Sequence, residues 1–142
     1  MRLVLDTCAL GCFCHPNGNP DFADWFERTF ATGRHAFFVP ALADFALRRE
    51  LLLCGFTASI AALNSWSDAL EYIFITRPIL RLAERFWADA RRVGNPTEHQ
   101  HALASDVIIA AQAEMVGGAV ITENTDHLSR YVQAINWRDG LL

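Results

Sequence analysis

Apolar and polar positions fall into two kinds of block along this chain: short uninterrupted apolar runs, and longer stretches with helical spacing. Arg2 to Leu5 is a brief apolar run ended by Asp6, the pattern of a strand buried on both faces, as parallel strands are. Gly11 to Pro20, rich in Gly, Pro and Asn, predicts a loop. From Asp21 to Ala31, Phe22, Trp25, Phe26 and Phe30 recur at helical spacing, and Gly33 closes the segment. Ala36 to Val39 predicts a second strand, and Pro40 suits the first residue of a helix reaching about Cys54, stopped by Gly55.

Thr57 to Ala69 predicts another helix with Thr57 as its cap, followed by a β-rich run from Tyr72 to Ile75. Pro78 opens an amphipathic helix to about Val93, with Ile79, Leu82, Phe86, Ala90 and Val93 as its buried stripe. The stretch GNPTEHQH reads as loop. Val107 to Val116 is a helix with almost no polar residue, so it is expected to be buried on most sides; Gly117 and Gly118 stop it. Ala119 to Ile121 is a further strand, and Tyr131 to Ile135 adds one more. Strands alternating with helices predict an α/β fold, a single three-layer domain over residues 1–142 with a central parallel sheet, Rossmann-related in its layering. No repeat or linker interrupts it.

The chain has 142 residues, 52% hydrophobic and 20% charged, which suits one domain of ordinary size. The longest apolar stretches, Leu51 to Leu63 and Val107 to Ile121, are broken by Gly, Thr or charge and fall short of the roughly 18 residues of a membrane helix. The N-terminal run is interrupted by Asp6 and has no cleavage site after it, so a cytoplasmic location is the expectation. Cys8, Cys12, Cys14 and Cys54 form no pair of C-x-x-C knuckles, which argues against a zinc site including His15 and for reduced thiols in or near the core. The net charge is -4, from 16 acids and 12 bases, and every base is Arg. That balance does not describe a sequence-blind nucleic-acid binder. No G-x-S-x-G elbow and no Gly-rich phosphate loop is present. Glu98, His99 and His101 cluster but lack a fourth ligand, and read as a polar loop.

In an open parallel sheet, ligands bind at the carboxyl ends of the strands. Asp6 ends the first strand; Thr122, Glu123, Asn124 and Asp126 follow the strand Ala119 to Ile121; Asp106 precedes the buried helix; Glu50 sits in the helix after the second strand. Acids brought together repel one another unless a hard cation neutralises them, and Mg²⁺ or Mn²⁺ with carboxylate and water ligands is the natural one. Each acid also has an ordinary structural role: Asp6 as a turn or cap residue, Asp106 at the positive end of a helix dipole with Ser105 as cap, Glu50 on a solvated helix face.

Their order along the chain narrows the choice. LVLDTCAL, VPALADFALRRELL, ALASDVIIAAQA and AVITENTDHL resemble the motif series of the PIN-domain nucleases, the fold of VapC-type toxins, from Arg2 to about Leu128. The resemblance implies Mg²⁺- or Mn²⁺-dependent hydrolysis of RNA phosphodiesters by three or four clustered acids, commonly in a homodimer. It makes Asp6 the first acid and Asp106 the third, and matches Thr122 and Asn124 to the T-x-N of the last loop. The family often has a glutamate where this chain has Ala46. Glu50 lies one helical turn later on the same face, whereas Asp44 lies about 200° around the helix, so Glu50 is the expected second acid. Many members carry an aspartate at the position of His127; here Asp126 is one residue early.

The expected site therefore has Asp6, Glu50 and Asp106 as metal ligands, Glu50 positioning or deprotonating water, Asp126 as a fourth acid, and Asn124 with Thr122 orienting loop and substrate. Placing those four acids in one pocket leaves 12 acids facing 12 arginines elsewhere. Arg48 and Arg49 flank the site and are the expected RNA contacts, while Arg77, Arg81 and Arg85 form an i, i+4 row read as a solvated face. The apolar content implies a partner, either a second copy or an antitoxin-like protein. Ala46 and the displaced Asp126 also suit a catalytically weakened PIN-like module that binds protein or nucleic acid.

Overall fold

A computed structural model of the chain describes residues 1–93 and 100–140. The elements run β1 (Arg2–Leu5), α1 (Thr7–Cys14), α2 (Pro20–Ala31), β2 (Ala36–Pro40), α3 (Ala41–Cys54), α4 (Thr57–Ala69), β3 (Glu71–Ile73), α5 (Arg77–Arg92), α6 (Gln100–Met115), β4 (Ala119–Ile121), α7 (Thr125–Leu128) and β5 (Ala134–Ile135), closing on a 3₁₀ turn, Trp137–Asp139. The strands form one parallel sheet in the order β3-β2-β1-β4-β5. The central strands are apolar without alternation because both faces are covered: Leu3, Val4, Leu5, Val39, Val120 and Ile121 are fully buried. Helix contacts divide into two sets, α1 to α4 and α5 to α7, which meet where α3 touches α6. Right-handed crossovers in a sheet of this order put one set on each face.

The structure corrects the sequence reading in several places. Gly11 to Cys14, expected as loop, is the second half of α1, and the true loop is residues 15–19. Gly11 has no helix-breaking task there; a Cβ on it would only touch Leu47 at 3.8 Å. Helix α6 begins seven residues before Val107, because Ala-Leu-Ala extends it without an apolar stripe to announce it. Asp106 is thus inside a helix and not at its positive end. Thr57 is the first residue of α4, whose cap is Phe56; α5 is capped by Thr76, whose Oγ1 accepts from the Ile79 N–H. Val93 is 85% exposed, leaving Ile79 and Ala83 as the buried anchors of α5. Phe74 and Ile75 lie beyond β3 and are exposed, and only Ala134 and Ile135 of the tail pair as strand. Glu98 and His99 lie outside the described residues. Among the described residues no helix is long and apolar enough to cross a membrane.

The one polar side chain deep in α6, Gln112, is fully buried and donates through Nε2 to the Ile73 carbonyl at 2.8 Å, tying α6 to the end of β3. The loop at 15–19 is fixed equally firmly. Asn19 N–H donates to the Cys12 carbonyl at 2.7 Å and Gly18 N–H to that of His15 at 2.9 Å, so the chain folds back onto α1. A Cβ on Gly18 would sit 2.3 Å from the Cys12 oxygen. Gly18→Ala is therefore expected to lower the unfolding free energy by about 1–3 kcal/mol, read as a shift in the urea midpoint.

Candidate active site

The sheet order reverses between β1 and β4, and the crevice at the carboxyl ends of those two strands is where open α/β sheets bind ligands. Leu5 pairs with Ile121, and the Asp6 N–H donates to the Ile121 carbonyl at 3.3 Å, so Asp6 and Thr122 leave the sheet side by side. Asp6 is also the N-cap of α1: its Oδ1 accepts from the Ala9 N–H at 2.8 Å. Thr122, 1% exposed, gives its hydroxyl proton to Asp6 and accepts the Asn124 N–H at 2.9 Å. The T-x-N loop is thereby tied to the first acid through a single hydroxyl.

Asp106 reaches the same place from α6, with His127 Nδ1 3.7 Å from its Oδ2. A cavity of about 100 Å³ is lined by Asp6, Asp106, Ser105, Thr122, Asn124 and His127. At roughly 30 Å³ per water, that is room for an ion and a few waters. Burial beside Asp106 and Glu123 pushes the Asp6 carboxyl up from 3.8 to about 6, desolvation being the largest cause; the hydrogen bonds from Thr122 and Ala9 pull the other way and lose. The pocket thus holds a carboxylate poorly compensated by the protein itself.

Two expected acids, Asp126 and Glu50, are not brought into that cavity, and neither is Asp44, the alternative to Glu50. Asp126 is exposed on α7, and since one residue turns a helix by about 100°, His127 faces the pocket in its place. Glu50 is 59% exposed and lines an adjoining cavity, its Oε1 3.9 Å from His15 Nε2. Four residues along α3 is about 6 Å of rise from position 46, and Glu50 shares with the acid pair the neighbour Cys8, on whose thiol all three charges act. Asp44 is occupied elsewhere: it accepts two bonds from Arg48, and one from the Tyr72 hydroxyl at 2.7 Å. That bond and burial raise the Tyr72 hydroxyl to about 12.

The expected RNA contacts also have other occupations. Arg48 is held by Asp44 and Asn64, and Arg49 lies over the Phe45 ring at 5.3 Å. In the basic row, Arg81 pairs with Glu84 at 2.7 Å. Two residues that sequence reasoning did not select adjoin the site. Glu123, whose charge acts on Asp6, accepts from Trp137 Nε1 and from Arg138, both at 3.1 Å. Its position directly after Thr122 was the available signal, whereas Arg138 lies in no motif.

Among the described residues, no group of three or more His, Cys, Asp or Glu side chains is arranged to hold a metal ion. The donors around the small cavity are two carboxylates, an amide and hydroxyls, with the His127 imidazole and the Cys8 thiol beside them. That set fits Mg²⁺ or Mn²⁺, hard ions that take one or two carboxylates and complete their shells with water and substrate oxygens. The Cys8 thiol does not turn it into a soft-ion site, because burial and then the neighbouring carboxylates, Asp6 first, raise that thiol above its ordinary value and disfavour the thiolate; burial likewise pushes Cys12 up to about 11 and Cys14 to about 12.

No protein-family model matches the sequence, and no curated protein matches it significantly. Solved structures do. A chain of FitAB bound to an IR36 DNA fragment superposes with a TM-score of 0.75 at 17% identity, covering 95% of this chain and 94% of that one. A chain of VapBC2 from Rickettsia felis, bound to a DNA fragment from their promoter, gives 0.73 at 15% identity over 96% and 99%. VapBC-1 from nontypeable Haemophilus influenzae gives 0.71 at 16% identity over 97% and 99%. Identities this low speak for architecture, and they do so along nearly the whole length of both chains. With its five-stranded parallel sheet, its reversal between β1 and β4 and the acids at that point, the chain has the PIN-domain fold that its motif series resembles.

Proposed function

We propose that this chain, acting as one domain, is a Mg²⁺- or Mn²⁺-dependent endoribonuclease that hydrolyses RNA phosphodiester bonds at the pocket between β1 and β4. The observation that carries the reading is the convergence of Asp6 and Asp106 at the sheet's reversal point, with Asp6 buried and its carboxyl raised to about 6. Asp6 and Asp106 hold the cation, Thr122 fixes Asp6 and the start of the T-x-N loop, Asn124 orients the substrate, and His127 steadies Asp106. When bound there, the ion supplies Lewis acidity toward a phosphate oxygen and a water of lowered pKa. Glu50 lines the adjoining cavity and not this one, so on this reading activation of that water is assigned to Asp6 and Asp106. The test is cleavage of a labelled single-stranded RNA: Mg²⁺ or Mn²⁺ should support it, EDTA should stop it, and Asp6→Asn should abolish it. Activity that survives EDTA or Asp6→Asn overturns the assignment.

The solved neighbours are VapBC and FitAB complexes, and the same arrangement suits a cytoplasmic toxin held in check by an antitoxin-like protein. A homodimer belongs to this reading too. Phe45, Leu52 and Leu53 share one outer face of α3 and are 58%, 61% and 88% exposed, a poor surface to leave in water. Light scattering after size exclusion should give twice the chain mass; a monomer at high concentration counts against the dimer.

A second reading is favoured by one observation, that only two carboxylates line the small cavity. On that reading the chain is a weakened module that binds protein or nucleic acid without cutting. Calorimetry separates the two: Mn²⁺ binding that Asp106→Asn abolishes supports the enzyme, and absence of any Mn²⁺ binding supports the module.

A further inference from the structure

A second cavity, about 390 Å³, shares Thr7 and Cys8 with the acid pocket and continues from it between α1, α3 and the 3₁₀ turn. Its volume is that of a small-molecule site. Beside Thr7, Asn17 and Asn19, its carboxylates and basic groups are Glu50, Glu123, His15 and Arg138, arranged as two pairs of a carboxylate and a nitrogen donor. In one pair, Arg138 lies over the Trp137 ring at 4.5 Å while Glu123 accepts from both Trp137 Nε1 and Arg138 Nη2. Both bonds fall on Glu123 Oε1, which ties this carboxylate to the tail, while a guanidinium has five N–H donors and its bond to Glu123 uses one. In the other pair, His15 Nδ1 accepts the Asn17 N–H at 3.1 Å, so the neutral ring carries its proton on Nε2, toward Glu50. The tight loop at 15–19 fixes that ring from behind. Glu50 keeps acceptor capacity at the cavity rim, while Arg138 keeps donors.

Resting on the nuclease reading, we propose that this cavity seats the ribonucleotide next to the scissile phosphate, with Arg138 on its phosphate and Glu50 accepting from its ribose 2′-hydroxyl. A phosphate needs the fork of an arginine, and a hydroxyl donor is what an underused carboxylate accepts. The 2′-hydroxyl is also the group by which a protein tells RNA from DNA. With deoxyribose, the Glu50 carboxylate would face a nearby phosphate with no hydroxyl to join them. On this reading Glu50 is a specificity residue and not a metal ligand.

The test measures binding in Mg²⁺ of fluorescein-labelled eight-nucleotide single strands of one sequence, as RNA and as DNA. Both carry phosphorothioate linkages so that hydrolysis is slow and the backbone is matched. The wild-type chain should favour RNA by about tenfold, about the weight of one good hydrogen bond. Glu50→Ala should bring the RNA-to-DNA ratio below about twofold, whatever the loss of its charge does to both affinities together. Arg138→Ala should weaken RNA and DNA alike by about five- to tenfold and lower the salt slope of binding by about one, as expected for one lost phosphate contact. Both side chains are exposed enough that circular dichroism should show unchanged folding. An unchanged ratio in Glu50→Ala, unchanged affinities in Arg138→Ala, or no binding of either strand by the wild type overturns the subsite. If instead the binding pattern appears but no metal-dependent RNA cleavage accompanies it, the nuclease reading falls and the subsite stands.

Discussion

Asp106→Asn is expected to reduce metal-dependent RNA cleavage by about 10³-fold or more, in line with the loss of a group on which a whole metal and water arrangement depends. The substitution keeps the size of the side chain and an oxygen near His127, so stability should change little. What it removes is one of the two negative charges lining the small cavity. With only two carboxylates there, losing one halves the charge available to a divalent ion. Raising Mn²⁺ should recover part of the rate if the defect lies in ion binding, and single-turnover cleavage across a Mn²⁺ titration measures this. Full activity in Asp106→Asn at low Mg²⁺ would remove Asp106 from the site.

Asp6→Asn is expected to do the opposite for stability: the metal-free variant should be more stable than the wild type at pH 7.5. In the folded chain the Asp6 carboxyl titrates near 6, against 3.8 for an ordinary aspartate. The folded state therefore binds more protons than the unfolded state between pH about 4 and about 6, and stability falls as pH rises through that window. Two pKa units correspond to at most about 3 kcal/mol, present as a deficit above pH 6 and absent below pH 4. Asparagine is as good an N-cap for α1 as aspartate, so the variant keeps the bond from Ala9 N–H; it loses the charge and weakens the bond from the Thr122 hydroxyl, the smaller of the two effects because desolvation outweighs that bond at Asp6. Urea unfolding of both proteins in EDTA at pH 4, 5.5 and 7.5 should show curves that separate as pH rises. Adding Mn²⁺ at pH 7.5 should stabilise the wild type and not the variant. Curves that stay parallel across pH would refute the burial account of Asp6.

The parts of this molecule that were legible in the sequence are those whose surroundings are uniform. β1, β2 and β4 are buried on both faces, so each is a plain apolar run, and the acids and hydroxyl that follow β1 and β4 fall at the sheet's reversal by geometry alone. Helix α1 was illegible because Gly11 and three cysteines supply no helical stripe, although Asp6 before Thr7-Cys8-Ala9 is an ordinary capping pattern. The start of α6 was hidden for the same reason. Position around a helix decided the remaining differences: Asp126 and His127 differ by one residue and face different ways, and Glu50, one turn beyond position 46 on α3, lines the adjoining cavity. Arg138 joins the site only through the fold of the tail, which no local pattern foretells.

Asp6 and Thr122 share a hydroxyl proton, yet one follows the first strand and the other the fourth, with Asp106 arriving from the helix before the fourth. β1 has its neighbour β2 early, but the other side of β1, where the acid pair forms, stays open until β4 has been made. A chain emerging from the ribosome therefore has no pocket until α6 and β4 have followed β1 out. Contacts this distant in sequence also form late in folding. A copy cut short before α6 and β4 carries the first acid without its companions, so the proposed capacity to cut arrives only once those elements are made.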